Sequence, residues 1–250
     1  MNWREKKLKI VVGINSLSIS QQPAYSNHIQ FFYRLGRSYS NIEFCLVNPP
    51  RMSIDRMRNM SAEVTLKGEF DYLLFLDDDV LVPESRECAS LAMLLDADAD
   101  IVAGDVMISG YPFNHMYFRY DEDKVNLNQV EHTSEHKQEL QDVDAVGFSL
   151  CLIKRDLLLD VPKPFFVTGT NNTEDIYFCL KAKAVKPETT IKVDTRIVCS
   201  HILWPELISA DNVENFKKYY EVQFPLAIEQ HNADRGNDYY KLVTADGATA

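Results

Sequence analysis

The chain has 250 residues, 46% of them hydrophobic and 25% charged, with only 9 glycines, which is the composition of a globular protein rather than a disordered or fibrous one. That length admits one large α/β domain or two small ones. A formal net charge of −11 argues against a surface built to hold nucleic-acid phosphates, although Arg4, Lys6, Lys7 and Lys9 gather near the start. The apolar run behind that cluster, Ile10-Val11-Val12, is far too short for a signal h-region or a membrane span, and no other stretch approaches the required length. A soluble, intracellular (cytoplasmic) protein with no membrane span is therefore expected. Cys45, Cys88, Cys151, Cys179 and Cys199 form no Cys-x-x-Cys pair and sit in apolar patterns, so they read as buried free thiols.

Strands and helices alternate through the first hundred residues. Lys9 to Ile14 predicts a strand, and Ala24 to Tyr39 a helix with Ile29, Phe32, Tyr33 and Gly36 on one side. Ile42 to Val47 is a second strand, and Ser53 caps a helix running to about Lys67, closed by Gly68. The strand Tyr72 to Leu76, a helix over Glu84 to Leu95 and a strand over Asp100 to Val106 follow. This β-α-β-α-β-α-β order predicts a mostly parallel, right-handed wound sheet. Beyond it come a strand at Met116 to Tyr120 and a polar excursion from Asp121 to Asp142, with helical character around Glu135 to Leu140. His132 and His136 there read as a solvated helix face. Asp144 to Ile153 is a long strand interrupted by Gly147, and Thr173 caps a helix to about Val185. Two short strands, Thr190 to Val193 and Ile197 to His201, precede an amphipathic helix over Asn212 to Phe224 striped by Val213, Phe216, Tyr220 and Phe224. Trp204 suits stacking on a sugar or nucleobase but reads better as packing beneath that helix, and the tail from Thr244 reads as frayed. Residues 1–210 are expected to form the main domain and 211–250 a helical extension and tail.

The most informative stretch is Tyr72-Leu73-Leu74-Phe75-Leu76-Asp77-Asp78-Asp79. The apolar run reads as a strand buried on both faces. Three carboxylates at its end repel one another and resist burial unless a cation compensates them. In an open α/β sheet, ligands bind at the carboxyl ends of the strands. Because side chains alternate, Asp77 and Asp79 face one point and Asp78 the other way. Hard oxygen ligands there suit Mg2+ or Mn2+ held together with a substrate phosphate. The plain alternative is an acidic N-cap before a helix starting near Pro83.

Other features stand in a telling order around this motif: the opening strand, Arg58-Asn59, Gly147-Phe148, Thr173-Glu174-Asp175 at a helix start, and Val198-Cys199-Ser200-His201. The set, over about residues 9 to 201, resembles the GT-A fold glycosyltransferases and is similar to family 2 of them. That resemblance implies a single GT-A domain, Rossmann-like, with a mostly parallel sheet flanked by helices. It also implies an inverting transfer of one sugar from a nucleoside diphosphate sugar to an acceptor hydroxyl. Asp79 and Asp77 are then the metal ligands with His201 the third, and the imidazole tilts the choice towards Mn2+. Asp175 is implied as general base, with Glu174 beside it, against the simpler reading of two acids complementing a helix dipole.

For the donor, Asn15 and Ser16 follow the first strand where the base should rest, and Asp55, Arg58 and Asn59 come from the second strand-helix unit. Asp55 suits a base N–H and Arg58 a diphosphate, although the two also fit an i,i+3 surface pair. Asp77 and Asp78 count among the nucleotide contacts, and Gly147 would let backbone approach the sugar, or simply mark a bulge. The segment before Thr173 lacks the Trp often seen in polysaccharide-synthesising relatives, which favours single-sugar transfer to a glycan, small-molecule or modified-base acceptor. Two rival readings remain open. One is a haloacid dehalogenase-type metal-dependent phosphatase, which also uses Asp-x-Asp but normally after the first strand. The other is a non-catalytic module that binds a nucleotide or glycan.

Overall fold

In a computed structural model the described residues are 3–16, 22–83, 89–133, 137–169, 172–203, 206–223 and 225. In chain order the elements are β1 (Leu8–Asn15), α1 (Gln22–Ser38), β2 (Ile42–Val47), α2 (Ile54–Lys67), β3 (Tyr72–Asp77), β4 (Val80–Leu81), α3 (Ser90–Asp96), β5 (Ile101–Asp105), β6 (Tyr117–Tyr120), β7 (Leu127–Gln129), β8 (Leu140–Asp142), β9 (Ala145–Val146), β10 (Leu150–Lys154), α4 (Arg155–Asp160), α5 (Glu174–Val185), β11 (Ile191–Val198), β12 (Ser200–Leu203), β13 (Glu206–Ile208) and α6 (Val213–Gln223). The central sheet has seven strands in the order β2-β1-β3-β10-β5-β11-β8. β1 runs parallel to β2 and β3, and β5 parallel to β11, while β10 is antiparallel to both its neighbours and β8 closes the far edge antiparallel to β11. Two small sheets, β13-β12-β4 and β7-β6-β9, complete it.

The alternation of side chains builds three layers. Leu73 and Phe75 of β3 enter one core with Ala62 of α2, Leu157 and Leu158 of α4, and Ile176, Phe178 and Ala182 of α5. Leu74 and Leu76 enter the opposite core with Phe31 and Leu35 of α1 and Leu91, Leu94 and Leu95 of α3. A strand apolar at every position is what a sheet covered on both faces requires. Gly13 of β1 marks a close helix approach, because a Cβ there would lie 2.8 Å from Ser61 Oγ of α2. Among the described residues no helix is long and apolar enough to cross a membrane.

Several expectations are corrected. α1 buries Ala24, His28, Phe31 and Leu35, while Ile29 and Tyr33 are 51% and 64% exposed. The helix carries two apolar arcs, and the buried His28 selects between them: its Nε2 lies 2.8 Å from the Val80 carbonyl. α3 begins at Ser90, and residues 84–88, Cys88 among them, lie outside the described residues. Leu140 belongs to a strand, not a helix, pairing with Asp194 of β11. Its segment lacks apolar periodicity because it is an edge strand, which keeps polar side chains outward. The long strand Asp144 to Ile153 is two strands in different sheets, β9 on β6 and β10 on β3 and β5, with 147–149 crossing between them. The two strands expected over 190–201 are instead a single β11 with a register shift between Asp194 and Val198, followed by β12. Val213 of α6 is buried and Phe216 and Tyr220 are half-buried along the same stripe, against Met107, Phe113 and Ile208. Trp204, Phe224, Glu135, His136 and the tail from Thr244 lie outside the described residues.

Candidate active site

The acidic run sits at the carboxyl end of β3, beside the end of β1, with Asn15 in register with Asp77. The chain beyond Asp79 forms β4 rather than a helix, so the carboxylates cap nothing. β4 pairs antiparallel with β12, placing His201 opposite Val80, and the Ile202 N–H donates to the Asp79 carbonyl at 2.8 Å. That ladder brings His201 Nε2 to 3.3 Å from Asp79 Oδ2. The other ring nitrogen, Nδ1, lies 2.8 Å from the Met107 carbonyl, which only an N–H can satisfy. The neutral imidazole therefore turns a lone pair towards a carboxylate, an arrangement that calls for a proton or cation between them. In the protein as it stands the pair shares charge. Burial works against the imidazolium, but the bond to Asp79 and its charge outweigh it and raise His201; Asp79 is held below its usual range, the bond to His201 and its charge overcoming burial.

The three aspartates separate. Asp78 accepts from the Ser16 hydroxyl, yet burial raises its pKa against that bond. Asp77 turns towards Arg58, whose Nη2 is 3.4 Å from both its oxygens, and its N–H donates to the Ser149 carbonyl at 2.9 Å. Burial raises Asp77, offset in part by Arg58 and reinforced by the charge of Asp79. Among the described residues no group of three His, Cys, Asp or Glu side chains converges to hold a metal. Asp79 and His201 form a two-donor pair instead, with Asp77 drawn off by Arg58. One or two protein ligands completed by substrate phosphates is an ordinary set for Mg2+ or Mn2+, so the residues fit such an ion.

On the other side, Glu174 and Asp175 open α5 and are both buried. Thr173 stands at the cap position without bonding the helix backbone; its hydroxyl donates to Asp175 Oδ1, which also accepts from the Ile176 N–H at 2.8 Å. Arg58 Nε lies 2.9 Å from Glu174 Oε1, an ion pair whose N–H does not point at the oxygen. Burial pushes Glu174 up to about 7, Arg58 offsetting only part of it and the charge of Asp175 adding to it. Because its ordinary value is 4.5, the folded protein holds more protons than the unfolded chain between about pH 4.5 and 7. Stability is expected to fall as pH rises through that window, by on the order of 3 kcal/mol from this group. Urea unfolding at a series of pH values checks it: Glu174→Gln should flatten the slope, and parallel slopes for both proteins would refute the assignment.

Of the remaining residues expected to meet a donor, Asn15 is 2% exposed and neither atom of its amide has a partner, so it retains unused hydrogen-bonding capacity beside the acids. Asp55 Oδ1, in the first turn of α2, is likewise buried without a partner. Asn59 is engaged internally: its Nδ2 donates to the carbonyls of Asp55 and Phe166 at 2.8 and 2.7 Å, and its Oδ1 accepts from the Phe165 N–H at 2.9 Å. Arg58 makes no surface pair with Asp55; it is buried. Gly147 faces protein, since a Cβ there would lie 2.6 Å from Met116 Cε, and its N–H donates to the Met116 carbonyl at 2.7 Å. Cys151, Cys179 and Cys199 are buried free thiols, and Cys45 is half-buried.

Sequence reasoning missed Ser149, which bonds the Asp77 carboxylate, and a chain in which buried His115 Nδ1 lies 2.7 Å from Asp105 Oδ1 and its Nε2 lies 3.1 Å from Nδ1 of half-buried His132. His132 is thus tied into the fold rather than lying on a solvated helix face. The spacing of these residues carries no motif; only the return of the chain after β5 brings them together.

No family model matches the chain, and no curated protein matches it in sequence. Among solved structures it is similar to the crystal structure of A197 from STIV, with a TM-score of 0.53 and 19% identity over 81% of this chain and 93% of that one. It is also similar to GalNAc-T7, determined with UDP, GalNAc and Mn2+, with a TM-score of 0.45 and 14% identity over 79% of this chain but only 44% of that one. The first is a likeness of fold, and neither singles out family 2. The architecture itself is mixed α/β, with a mostly parallel central sheet flanked by helices.

Proposed function

We propose that the chain is a glycosyltransferase that moves a single sugar, with inversion, from a nucleoside diphosphate sugar to an acceptor hydroxyl. The observation that carries this reading is the pairing of Asp79 with the Nε2 face of His201 at the carboxyl edge of the sheet, with Asp175 held on the neighbouring helix start. Asp79 and His201, with Asp77 nearby, would hold Mn2+ or Mg2+. Such an ion supplies positive charge to the departing diphosphate. Asn15 and Asp55 offer the uncommitted donors and acceptors that a nucleotide base requires.

Among the described residues both hydrogen bonds to Asp175 converge on Oδ1, which leaves Oδ2 to take the proton of the acceptor hydroxyl. The acceptor oxygen then bonds the anomeric carbon as the bond to the diphosphate oxygen breaks, its electron pair leaving with the diphosphate. On this reading the main domain spans 1–210 and the C-terminal helix is an extension of it.

A panel of nucleoside diphosphate sugars, each with and without Mn2+, tests the proposal. One donor is expected to raise the melting temperature in a Mn2+-dependent way, since a ligand at a hundred times its Kd stabilises by about 2.7 kcal/mol. The same donor should support transfer. Turnover of a phosphomonoester with no sugar nucleotide present would replace the reading with a phosphatase, and stabilisation without hydrolysis or transfer would replace it with a binding module.

A further inference from the structure

An arginine removed from water needs countercharges, and Arg58 draws them from separate parts of the chain. It is 3% exposed, and its guanidinium lies 5.0 Å from the ring centroid of Phe75 and 5.4 Å from that of Phe148. Nη2 faces Asp77 at the end of β3 at 3.4 Å, Nη1 donates to the Phe148 carbonyl at 3.2 Å, and Nε meets Glu174 at the start of α5 at 2.9 Å. Two of the three nitrogens are thus hydrogen-bonded inside the protein and the third is ion-paired with Glu174, so the guanidinium is held by the fold rather than turned out to a diphosphate. What they join is the two halves of the proposed site. Asp77 adjoins the acids at the β3 end, and Glu174 adjoins Asp175.

The geometry points to Arg58 as a positioning residue for the transfer step: a buried strut that sets the separation between the cation-holding end of β3 and the base on α5. This inference rests on the transferase reading above. Its force comes from the steepness of in-line displacement with distance, where a misplacement of about 1 Å costs about 10²-fold in rate. The rigid fork of arginine suits the task, because a lysine ammonium on a flexible stem offers a single point charge and cannot span the same three partners.

Steady-state kinetics on the folded fraction of each variant decides it. Arg58→Lys is expected to lower kcat by roughly 10- to 100-fold while donor KM moves by less than about threefold. Glu174→Gln, which removes one anchor while keeping its shape, should lower kcat in the same direction, and the double variant should be no slower than Arg58→Lys alone by more than about threefold. Arg56→Lys, an exposed arginine on the same helix, serves as the control and should transfer normally.

A raised donor KM with kcat preserved would mark Arg58 as a phosphate ligand and overturn the strut. A lowered melting temperature with kcat preserved would reduce it to a stability element, which overturns it too. Should Arg58→Lys fail to fold, Glu174→Gln carries the test alone, and unchanged kcat there sinks the proposal. A wild-type protein that transfers no sugar from any donor brings down the transferase reading and the strut with it, whereas normal kcat in Arg58→Lys removes the strut only.

Discussion

Asp79→Ala is expected to lower cation-dependent transfer by about 10²- to 10³-fold, the scale set by removing one group that stabilises charge developing in a transition state. The side chain of Asp79 is 45% exposed and its partner is His201, so its loss should leave the fold standing. The informative measurement is paired: the rate of transfer, and the shift in melting temperature on adding Mn2+ with the donor. Both should collapse together. Asp78→Asn should do far less, because Asp78 is bonded to Ser16 rather than turned to the histidine. An Asp79→Ala protein with normal Mn2+-dependent transfer would show that the charge on the diphosphate is taken up elsewhere.

Asp175→Asn is the second large effect, and it should separate chemistry from binding. The amide keeps the size of the carboxylate but cannot take a proton, so transfer is expected to slow by about 10²- to 10⁴-fold. Donor-dependent thermal stabilisation should remain, since Asp175 lies on α5 and not on the β1 and β3 ends where the donor is proposed to sit. Retained transfer would remove Asp175 as base. Its neighbour Glu174, which burial pushes up to about 7, would then be the acid to test.

The parts of the fold legible beforehand were those written in a single local period. β3 announces burial on both faces through four consecutive apolar residues, and α2 shows both of its ends through Ser53 and Gly68. The parts that were not legible depend on what arrives from far along the chain. β10 looks like any apolar strand, and nothing in Leu150 to Lys154 states that it runs opposite to β3 and β5. α1 has two apolar arcs, and the choice between them turns on a histidine that finds a carbonyl in β4.

The site divides the same way. The run of aspartates and the Glu-Asp pair are visible as charge where charge is costly. The bond of His201 to Met107 and the bridging by Arg58 are not, since each joins segments remote in sequence. Arg58 read naturally as a phosphate ligand because its burial cannot be inferred from a helix with polar neighbours.

The reversed strand β10 has one more consequence. Because it runs against β5, the chain departs from the site edge at Asp105 and comes back to that edge at Ser149, one strand over, with Cys151 in register with Ala103. Everything between those two points is a detour whose start and finish are about 5 Å apart, the spacing of neighbouring strands. Closing such a loop costs little more when it is long than when it is short. Within 106–148, β8 closes the far edge of the central sheet, and Met107 and Phe148 bond His201 and Arg58; between such anchors, added length costs little in closure entropy and leaves the acids at the end of β3 where they are.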